Sequence, residues 1–182
     1  MAKKAAETAT GPAAVVAIEQ HFPEGTRLIG DDLADRILPA GVRFWVWLTR
    51  PSWMRDWMIG MSEKKTPGVW AIFPCRKRYI EEKVAEAVVD QTEAVVNLGA
   101  GFDTLVYRLD ALADVPVWEV DQPVNIQAKR SGLEKVLGEV PAHVTLVSSD
   151  FDSEDLAVAL ASHGYALDKK TFFIPAAVTQ DL

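Results

Sequence analysis

The sequence is short of cysteine and histidine, and its acidic residues outnumber its basic ones. Cys75 is the single cysteine of 182 residues, which excludes an intrachain disulfide and a cysteine zinc cluster. The three histidines are scattered, without metal-ligand spacing or a Ser/His/Asp order, so we expect no bound metal. With 19 basic and 26 acidic residues the net charge is −7. This balance argues against nucleic acid as a main partner, because phosphate binding needs clustered Lys and Arg.

The chain also lacks a long uninterrupted apolar run. Residues 1–12 are small and polar, unlike a signal peptide, and we expect them to form a tail. The most apolar stretch, 44–61, is broken by Arg50, Pro51 and further charges, which makes it too interrupted to span a bilayer. We therefore expect a cytoplasmic protein with no membrane partner. A membrane-surface role for this stretch is a less favoured alternative.

Tryptophan is concentrated in one place, since four of the six tryptophans lie between residues 45 and 57. Residues 12–70 show helical spacing and no clear strand, and they include a short helix predicted over 33–38. The favoured interpretation is a helical appendage whose aromatic side chains pack on the main domain. The alternative is a lid or wall over an apolar substrate.

From Arg76 onward, apolar strands alternate with amphipathic helices, one of them predicted over 103–113. The strands are predicted over 94–98, 115–121, 143–148 and 171–174. This alternation is typical of a doubly wound α/β fold with a parallel sheet and helices on both faces. The predicted division is therefore a tail and helical extension over 1–75, followed by an α/β domain over 76–182.

A glycine turn follows the first strand and carries the main functional signal. Gly99, Ala100 and Gly101 let the backbone turn tightly, and a ligand can approach without meeting a Cβ atom. The turn is also expected to present free backbone N–H groups at the mouth of the sheet. The third glycine of the dinucleotide fingerprint is replaced by Thr104, which disfavours a bound pyrophosphate and a nicotinamide-dependent oxidoreductase. A smaller ligand with a ribose or carboxylate fits better.

Two acids follow the next two strands, where ligands bind in open parallel sheets. Asp121 can accept hydrogen bonds from both hydroxyls of a ribose; the alternative is that it caps the helix beginning at Pro123. Glu119 is the spare candidate, since it alternates with Asp121. Asp150 can accept the exocyclic amine of a base beside Phe151; the alternative is that it caps the next helix with Asp152 or Ser153.

Three consecutive basic residues, Arg76, Lys77 and Arg78, precede the first strand. A guanidinium near the glycine turn can pair bidentately with a ligand carboxylate. For any one of the three, a solvated basic cluster is an equally favoured alternative.

The run from Asn97 to Thr104, with residues 107–109, 119–123 and Lys129, resembles the leucine carboxyl methyltransferase family. These class I S-adenosylmethionine-dependent methyltransferases include uncharacterised actinobacterial proteins. The resemblance implies a Rossmann-like sheet with strand order 3-2-1-4 and S-adenosyl-L-methionine as cofactor. It implies that Arg76 or Arg78 holds the methionine carboxylate of the cofactor. The other cofactor-binding residues that it implies are Gly99, Ala100 and Gly101 at the methionine part, Asp121 with Gln122 at the ribose, and Asp150 with Phe151 at the adenine.

The function implied is O-methylation of a small-molecule carboxylate or hydroxyl, with no catalytic residue identified. After the fourth strand the chain departs from the family, with Ala176 at the position of a Glu and Asp181 at the position of a Tyr. Family members continue beyond this point, so the resemblance implies a chain truncated at its carboxyl end. The alternative function is a catalytically impaired methyltransferase-fold protein that binds ligands or oligomerises through the exposed edge of strand 4.

Overall fold

The structure, a computed structural model, describes residues 2–151 and 153–175. Its helices are α1 (Ala2–Glu19), α2 (Ala40–Leu48), α3 (Ser52–Lys65), α4 (Val69–Val89), α5 (Leu105–Arg108), α6 (Pro123–Leu137) and α7 (Leu156–Ser162), with 3-10 turns at Glu24–Thr26 and Asp110–Leu112. Its strands are β1 (Ala94–Leu98), β2 (Val117–Asp121), β3 (Val144–Ser148) and β4 (Thr171–Pro175).

The four strands form one parallel sheet in the order β3-β2-β1-β4, which confirms the predicted fold class and strand order. In register, Val95 pairs with Val117 and Asn97 pairs with Glu119. Parallel strands buried on both faces are rich in branched apolar residues, as these are. Because all four run the same way, β1, β2 and β3 end at one edge of the sheet, where the glycine turn and the two predicted acids follow them.

Side chains alternate between two apolar layers on the two faces of the sheet. One layer joins the sheet to helices from both halves of the chain, and its sheet residues are Val95, Val117, Val144, Leu146 and Ile174. The other layer, largely under α7, contains Ala94, Val96, Trp118, Val120, Val147, Leu160 and Tyr165. The Trp118 and Tyr165 rings meet edge to face, with centroids 5.2 Å apart.

The amino-terminal helices share the first layer with the sheet. Buried side chains of α1, of the following turns and of α2 belong to the same cluster as Val95, among them Val16, Ala17, Ile29, Ile37 and Val46. Helix α4 runs through the predicted boundary between residues 75 and 76. The division into 1–75 and 76–182 stays a prediction; what the structure shows is one continuous core across it.

Local structure differs from the prediction at three places. The predicted tail is helical from Ala2, in keeping with the high helix propensity of its Ala, Lys and Glu residues. Residues 33–38 form turns instead of a helix, and their apolar side chains are buried in the core. Asp31 accepts the Leu33 amide at 3.2 Å and also the Thr104 hydroxyl. The helix predicted over 103–113 is divided at Leu109, whose backbone is extended at φ −90° and ψ 102°.

Gly132 on α6 allows a close approach between this helix and the chain at Ile37. A Cβ atom at position 132 would lie 2.5 Å from the Ile37 carbonyl oxygen, a backbone atom that cannot rotate away. We therefore expect Gly132→Ala to lower the free energy of unfolding by about 1–3 kcal/mol, despite the better helix propensity of alanine. Urea denaturation measures this change. Gly60→Ala on α3, where a Cβ meets nothing within 4 Å, is the control and should be neutral or stabilising.

Candidate functional site

The glycine turn lies at the end of β1 and is folded against β2. Gly99 and Gly101 have φ values of 68° and 45°, a left-handed backbone that favours glycine. The amides of Gly99 and Ala100 donate to the Val120 carbonyl at 2.9 and 3.2 Å, and the Gly101 amide donates to Asp121 Oδ2 at 2.6 Å. The expectation of free N–H groups in this turn is therefore wrong, because β2 already accepts all three.

Asp121 joins the glycine turn to the beginning of α6. Its Oδ2 accepts the Gly101 amide, and its Oδ1 accepts the Gln122 amide and Asn125 Nδ2, both at 2.7 Å. The side chain is buried, and three of about four acceptor positions of the carboxylate are filled. Its contacts with α6 go to the amide of the N-cap residue Gln122 and to the Asn125 side chain, and not to backbone N–H groups of the helix, so both helix capping and the ribose role stay predictions.

Asp150 and Phe151 follow β3, as predicted, and both are partly buried. The Asp150 carbonyl accepts the Ser153 and Glu154 amides at 3.0 and 2.9 Å, and its own amide donates to the Glu154 carboxylate at 3.3 Å. The ring of Phe151 packs against the layer under α7. The next helix is capped by Asp155, whose Oδ1 accepts the Ala157 amide at 2.8 Å. Of the two residues predicted to share the capping, Ser153 donates its amide to the Asp150 carbonyl, and Asp152 lies outside the described residues.

Of the three basic residues on α4, Lys77 is the one that contacts the region of the turn. Lys77 Nζ lies 2.8 Å from Asp103 Oδ1, and both side chains are nearly buried. Arg76 is exposed, with its guanidinium 5.9 Å from the Phe73 ring, and the exposed Arg78 binds Glu82. Successive helical residues point about 100° apart, so the three side chains leave α4 in different directions, and that of Lys77 is directed to Asp103.

A signal in the sequence identifies Lys77 in retrospect. It falls three residues before Ile80 and seven before Val84, on the apolar stripe of α4. The cofactor roles of Arg76 and Arg78 stay predictions.

Asp103 caps α5 while it binds Lys77. Its Oδ1 also accepts the amides of Thr104 and Leu105, at 2.7 and 3.2 Å. Burial raises the pKa of Asp103, but the Lys77 ammonium and these hydrogen bonds outweigh burial, so the pKa lies well below its usual range. A charged Asp103 therefore holds the chain just after the glycine turn against α4.

Glu119, the spare candidate, points into the protein interior and not toward the carboxyl ends of the strands. Its Oε2 lies 2.7 Å from Lys129 Nζ, with both side chains fully buried, and accepts the Tyr107 hydroxyl at 2.5 Å. Asn97 Nδ2 donates to the other oxygen at 3.5 Å. Burial raises the pKa of Glu119, and the Lys129 ammonium acts in the opposite direction. Sequence reasoning missed this pairing with α6, which ties α6 to β2 one helical turn beyond Asn125.

Thr104 has a structural use at the position where a dinucleotide fingerprint has glycine. Its hydroxyl donates to the carboxylate of Asp31, which is buried. Arg108 lies 3.7 Å from the same carboxylate and 2.9 Å from Glu81 Oε2 on α4. The amino-terminal segment is thereby fastened to the residues that follow the glycine turn.

The described residues contain no group of three or more His, Cys, Asp or Glu side chains arranged to hold a metal ion. Within the same residues, no helix is both long enough and apolar enough to cross a bilayer.

Comparison with known proteins gives a family match over nearly the whole chain. The sequence profile of the family described as leucine carboxyl methyltransferase matches residues 9–180. A protein of Mycobacterium avium (strain 104) is 32% identical over 154 residues, which are 81% of this chain and 47% of that protein. One of Mycolicibacterium smegmatis is 30% identical over 177 residues, 96% of this chain and 57% of that protein. Both names describe candidate S-adenosyl-L-methionine-dependent methyltransferases. The chain spans about half the length of these relatives.

Proposed function

Because the chain belongs to the leucine carboxyl methyltransferase family, we propose that it binds S-adenosyl-L-methionine beyond the carboxyl ends of β1, β2 and β3. The observation that carries this proposal is the arrangement at that edge of the sheet. A glycine turn follows β1, a buried carboxylate at the end of β2 grips the turn, and Asp150 with Phe151 follows β3. The relatives' names support the same cofactor.

Each predicted residue has a proposed role in this site. Gly99, Ala100 and Gly101 pass close to the methionine part, because the two glycines carry no Cβ. Asp121, with Gln122 beside it, holds the ribose through the acceptor position that its present hydrogen bonds leave open. Asp150 and Phe151 frame the adenine. Arg76 or Arg78 binds the methionine carboxylate, its side chain extending past Lys77 to the glycine turn. Residues 76–182 form the cofactor-binding domain, and 1–75 form its helical extension.

The proposed reaction is methylation of an oxygen atom in a small-molecule carboxylate or hydroxyl. When bound, the cofactor supplies a methyl group on a positively charged sulfonium. The protein's task is to hold the two reactants in line, and a carboxylate acceptor needs no general base because it is already ionised. The absence of a general base from the proposed mechanism agrees with the charged groups near the site, because Asp103, Glu119 and Lys129 all form buried ion pairs. The two departures from the family, Ala176 and Asp181, lie outside the described residues.

A second candidate function is a binding or oligomerising module without catalysis. Two observations favour it: the turn amides are already hydrogen bonded to β2, and β4 is an edge of the described sheet with Phe173 47% exposed. This alternative predicts weak or absent cofactor binding together with self-association. Size-exclusion chromatography with light scattering measures the latter, and a monomer at all concentrations tested contradicts the module.

Titration calorimetry with S-adenosylhomocysteine tests the methyltransferase proposal. We expect saturable binding to the wild type and a loss of about tenfold or more in affinity for Asp121→Ala, because a buried acceptor for the ribose hydroxyls disappears. Asp114→Ala is the matched control: it makes the same chemical change at an exposed position before the opposite end of β2, and should bind like the wild type.

Asp121→Ala also removes the bond to Gly101, so a second variant keeps the test independent of folding. Asp150→Asn should also weaken binding, and thermal melting curves verify that both variants fold. Wild-type affinity in both variants contradicts the assigned site. Tighter binding of a nicotinamide dinucleotide than of S-adenosylhomocysteine contradicts the methyltransferase itself.

A further inference from the structure

A groove lies on the amino-terminal half of the molecule, between the end of α1, the turns at 31–38 and helix α2. Its volume is about 480 Å³, within the range of small-molecule sites. The lining residues are His21, Asp35, Ala40, Arg43, Phe44, Val46, Trp47 and Arg50. None of them belongs to the proposed cofactor site, so the groove can be considered independently of that function.

One wall of the groove is a pair of stacked aromatic rings. Phe44 and Trp47 have ring centroids 6.1 Å apart and planes inclined by 22°. They are 57% and 52% exposed, although Val46 between them is buried in the core and anchors α2. Large aromatic side chains held in a stack and left open to solvent offer a flat apolar surface to a ligand.

The charged side chains of the groove favour an anion. Arg43 and Arg50 both line it, and within the described part of the chain neither guanidinium has an ion-pair or hydrogen-bond partner. Asp35 is the one acid among the lining residues. The surrounding segment 40–65 has five basic and two acidic residues, whereas the whole chain has a net charge of −7. Two unpaired guanidiniums in an acidic protein make this groove complementary to a carboxylate or a similar anion.

His21 lies just after α1 and lines the groove. His21 Nδ1 lies 3.1 Å from the Thr49 hydroxyl, and the buried Arg55 donates to the His21 carbonyl at 2.7 Å. Burial lowers the pKa of His21, and Arg50 and Arg55 lower it further, against the opposing charge of Asp35. The imidazole is therefore neutral at pH 7. It adds a polar ring to the groove, and the positive charge that binds the anion comes from Arg43 and Arg50.

We propose that this groove binds an amphiphilic organic anion. Its flat or chain-like apolar body lies against Phe44 and Trp47, and its carboxylate is bound by Arg43 and Arg50. Apolar contact supplies part of the affinity, and the two charge-assisted contacts select anionic ligands over neutral ligands of the same shape.

Calorimetry with 2-naphthoate, and with the neutral 2-naphthalenemethanol, tests the site on the full chain. We expect saturable binding of the naphthoate and binding of the alcohol weaker by about tenfold or more, since the alcohol lacks the charge. The double variant Arg43→Gln/Arg50→Gln should lose the same factor, whereas Arg36→Gln, an exposed arginine outside the groove, should not. Trp47→Leu should weaken binding, whereas Trp53→Leu, an exposed tryptophan of α3 that does not line the groove, should leave it unchanged. All of these side chains are exposed, and melting curves verify that the variants fold.

Three results overturn the proposal. The first is absence of saturable naphthoate binding to the wild type. The second is equal affinity in the groove variants and their controls, which means non-specific adsorption. The third is evidence that something else occupies the groove. Such evidence is a dimer in light scattering that Trp47→Leu dissociates. It is also sedimentation with anionic phospholipid vesicles that requires Trp47, in a protein that does not bind naphthoate. Loss of S-adenosylhomocysteine binding has no bearing on this result, so failure of the two proposals is distinguishable.

Discussion

Lys129→Met lowers the free energy of unfolding by about 3–5 kcal/mol, the expected cost of breaking a buried ion pair by removing one partner. Lys129 and Glu119 are both fully buried, with their charged atoms 2.7 Å apart. Without the ammonium, the Glu119 carboxylate keeps its hydrogen bond from Tyr107 but has no opposite charge beside it. Methionine fills most of the vacated volume, so the loss reports chiefly on charge and not on a cavity. Urea denaturation at pH 7 measures it.

The double variant Glu119→Gln/Lys129→Met separates the isolated charge from other causes. It removes both charges, and we expect it to be more stable than Lys129→Met alone, because replacing a buried pair by neutral groups is often close to neutral in free energy. Burial already raises the pKa of Glu119, so in Lys129→Met the carboxyl takes up a proton readily as the pH falls. The defect should therefore be smaller at pH 5 than at pH 7. A defect that is independent of pH and persists in the double variant would point to packing.

Asp103→Asn is the second substitution with a large expected effect, about 3 kcal/mol at pH 7, because it leaves the nearly buried Lys77 ammonium without its partner. The pKa of Asp103 in the folded protein lies well below its usual range. An acid with a depressed pKa stabilises the folded state above its unfolded pKa of about 4, and this contribution is lost as the pH falls toward the folded pKa. The difference between wild type and variant should therefore be full at pH 7 and much smaller near pH 2.

Denaturation at both pH values, together with Lys77→Met and the double variant, completes a double-mutant cycle for this pair. Asp110→Asn, an exposed aspartate seven residues away, is the matched control and should change stability little at either pH. Equal losses for Asp103→Asn at pH 7 and pH 2 would mean that lost helix capping, and not the ion pair, is responsible.

The sheet could be predicted from the sequence because its signals are local and repeated. Runs such as Ala94–Leu98 are short, apolar and bounded by turn residues, and strands that alternate with helices imply parallel pairing. The position of Asp121 at the end of β2 follows from the same pattern, since the last residue of a strand can be placed without tertiary information.

The sequence could not show what these residues bind within the folded chain. Whether Asp121 faces a ligand or the Gly101 amide depends on how closely β2 approaches the turn. Which residue of the Arg76–Arg78 cluster reaches the sheet depends on the rotation of α4 about its axis, and the partner of Glu119 depends on the packing of α6. The turns at 33–38 are also tied to a distant residue, since Asp31, which precedes them, binds Thr104 far along the chain.

The fastening of Asp31 to Thr104 also sets an order of events during synthesis. The two residues are separated by 73 positions, and β4 pairs with β1 across 77 positions, as Thr171 with Ala94. The ribosome adds about 5–20 residues per second, so several seconds pass between synthesis of the amino-terminal helices and synthesis of the strands that bury their apolar faces. Contacts this distant in sequence form late and slow the folding reaction. The amino-terminal helices of this chain are thus made before the strands that bury them and are among the last elements to be completed, so a chaperone that shields apolar helices would have its longest opportunity there.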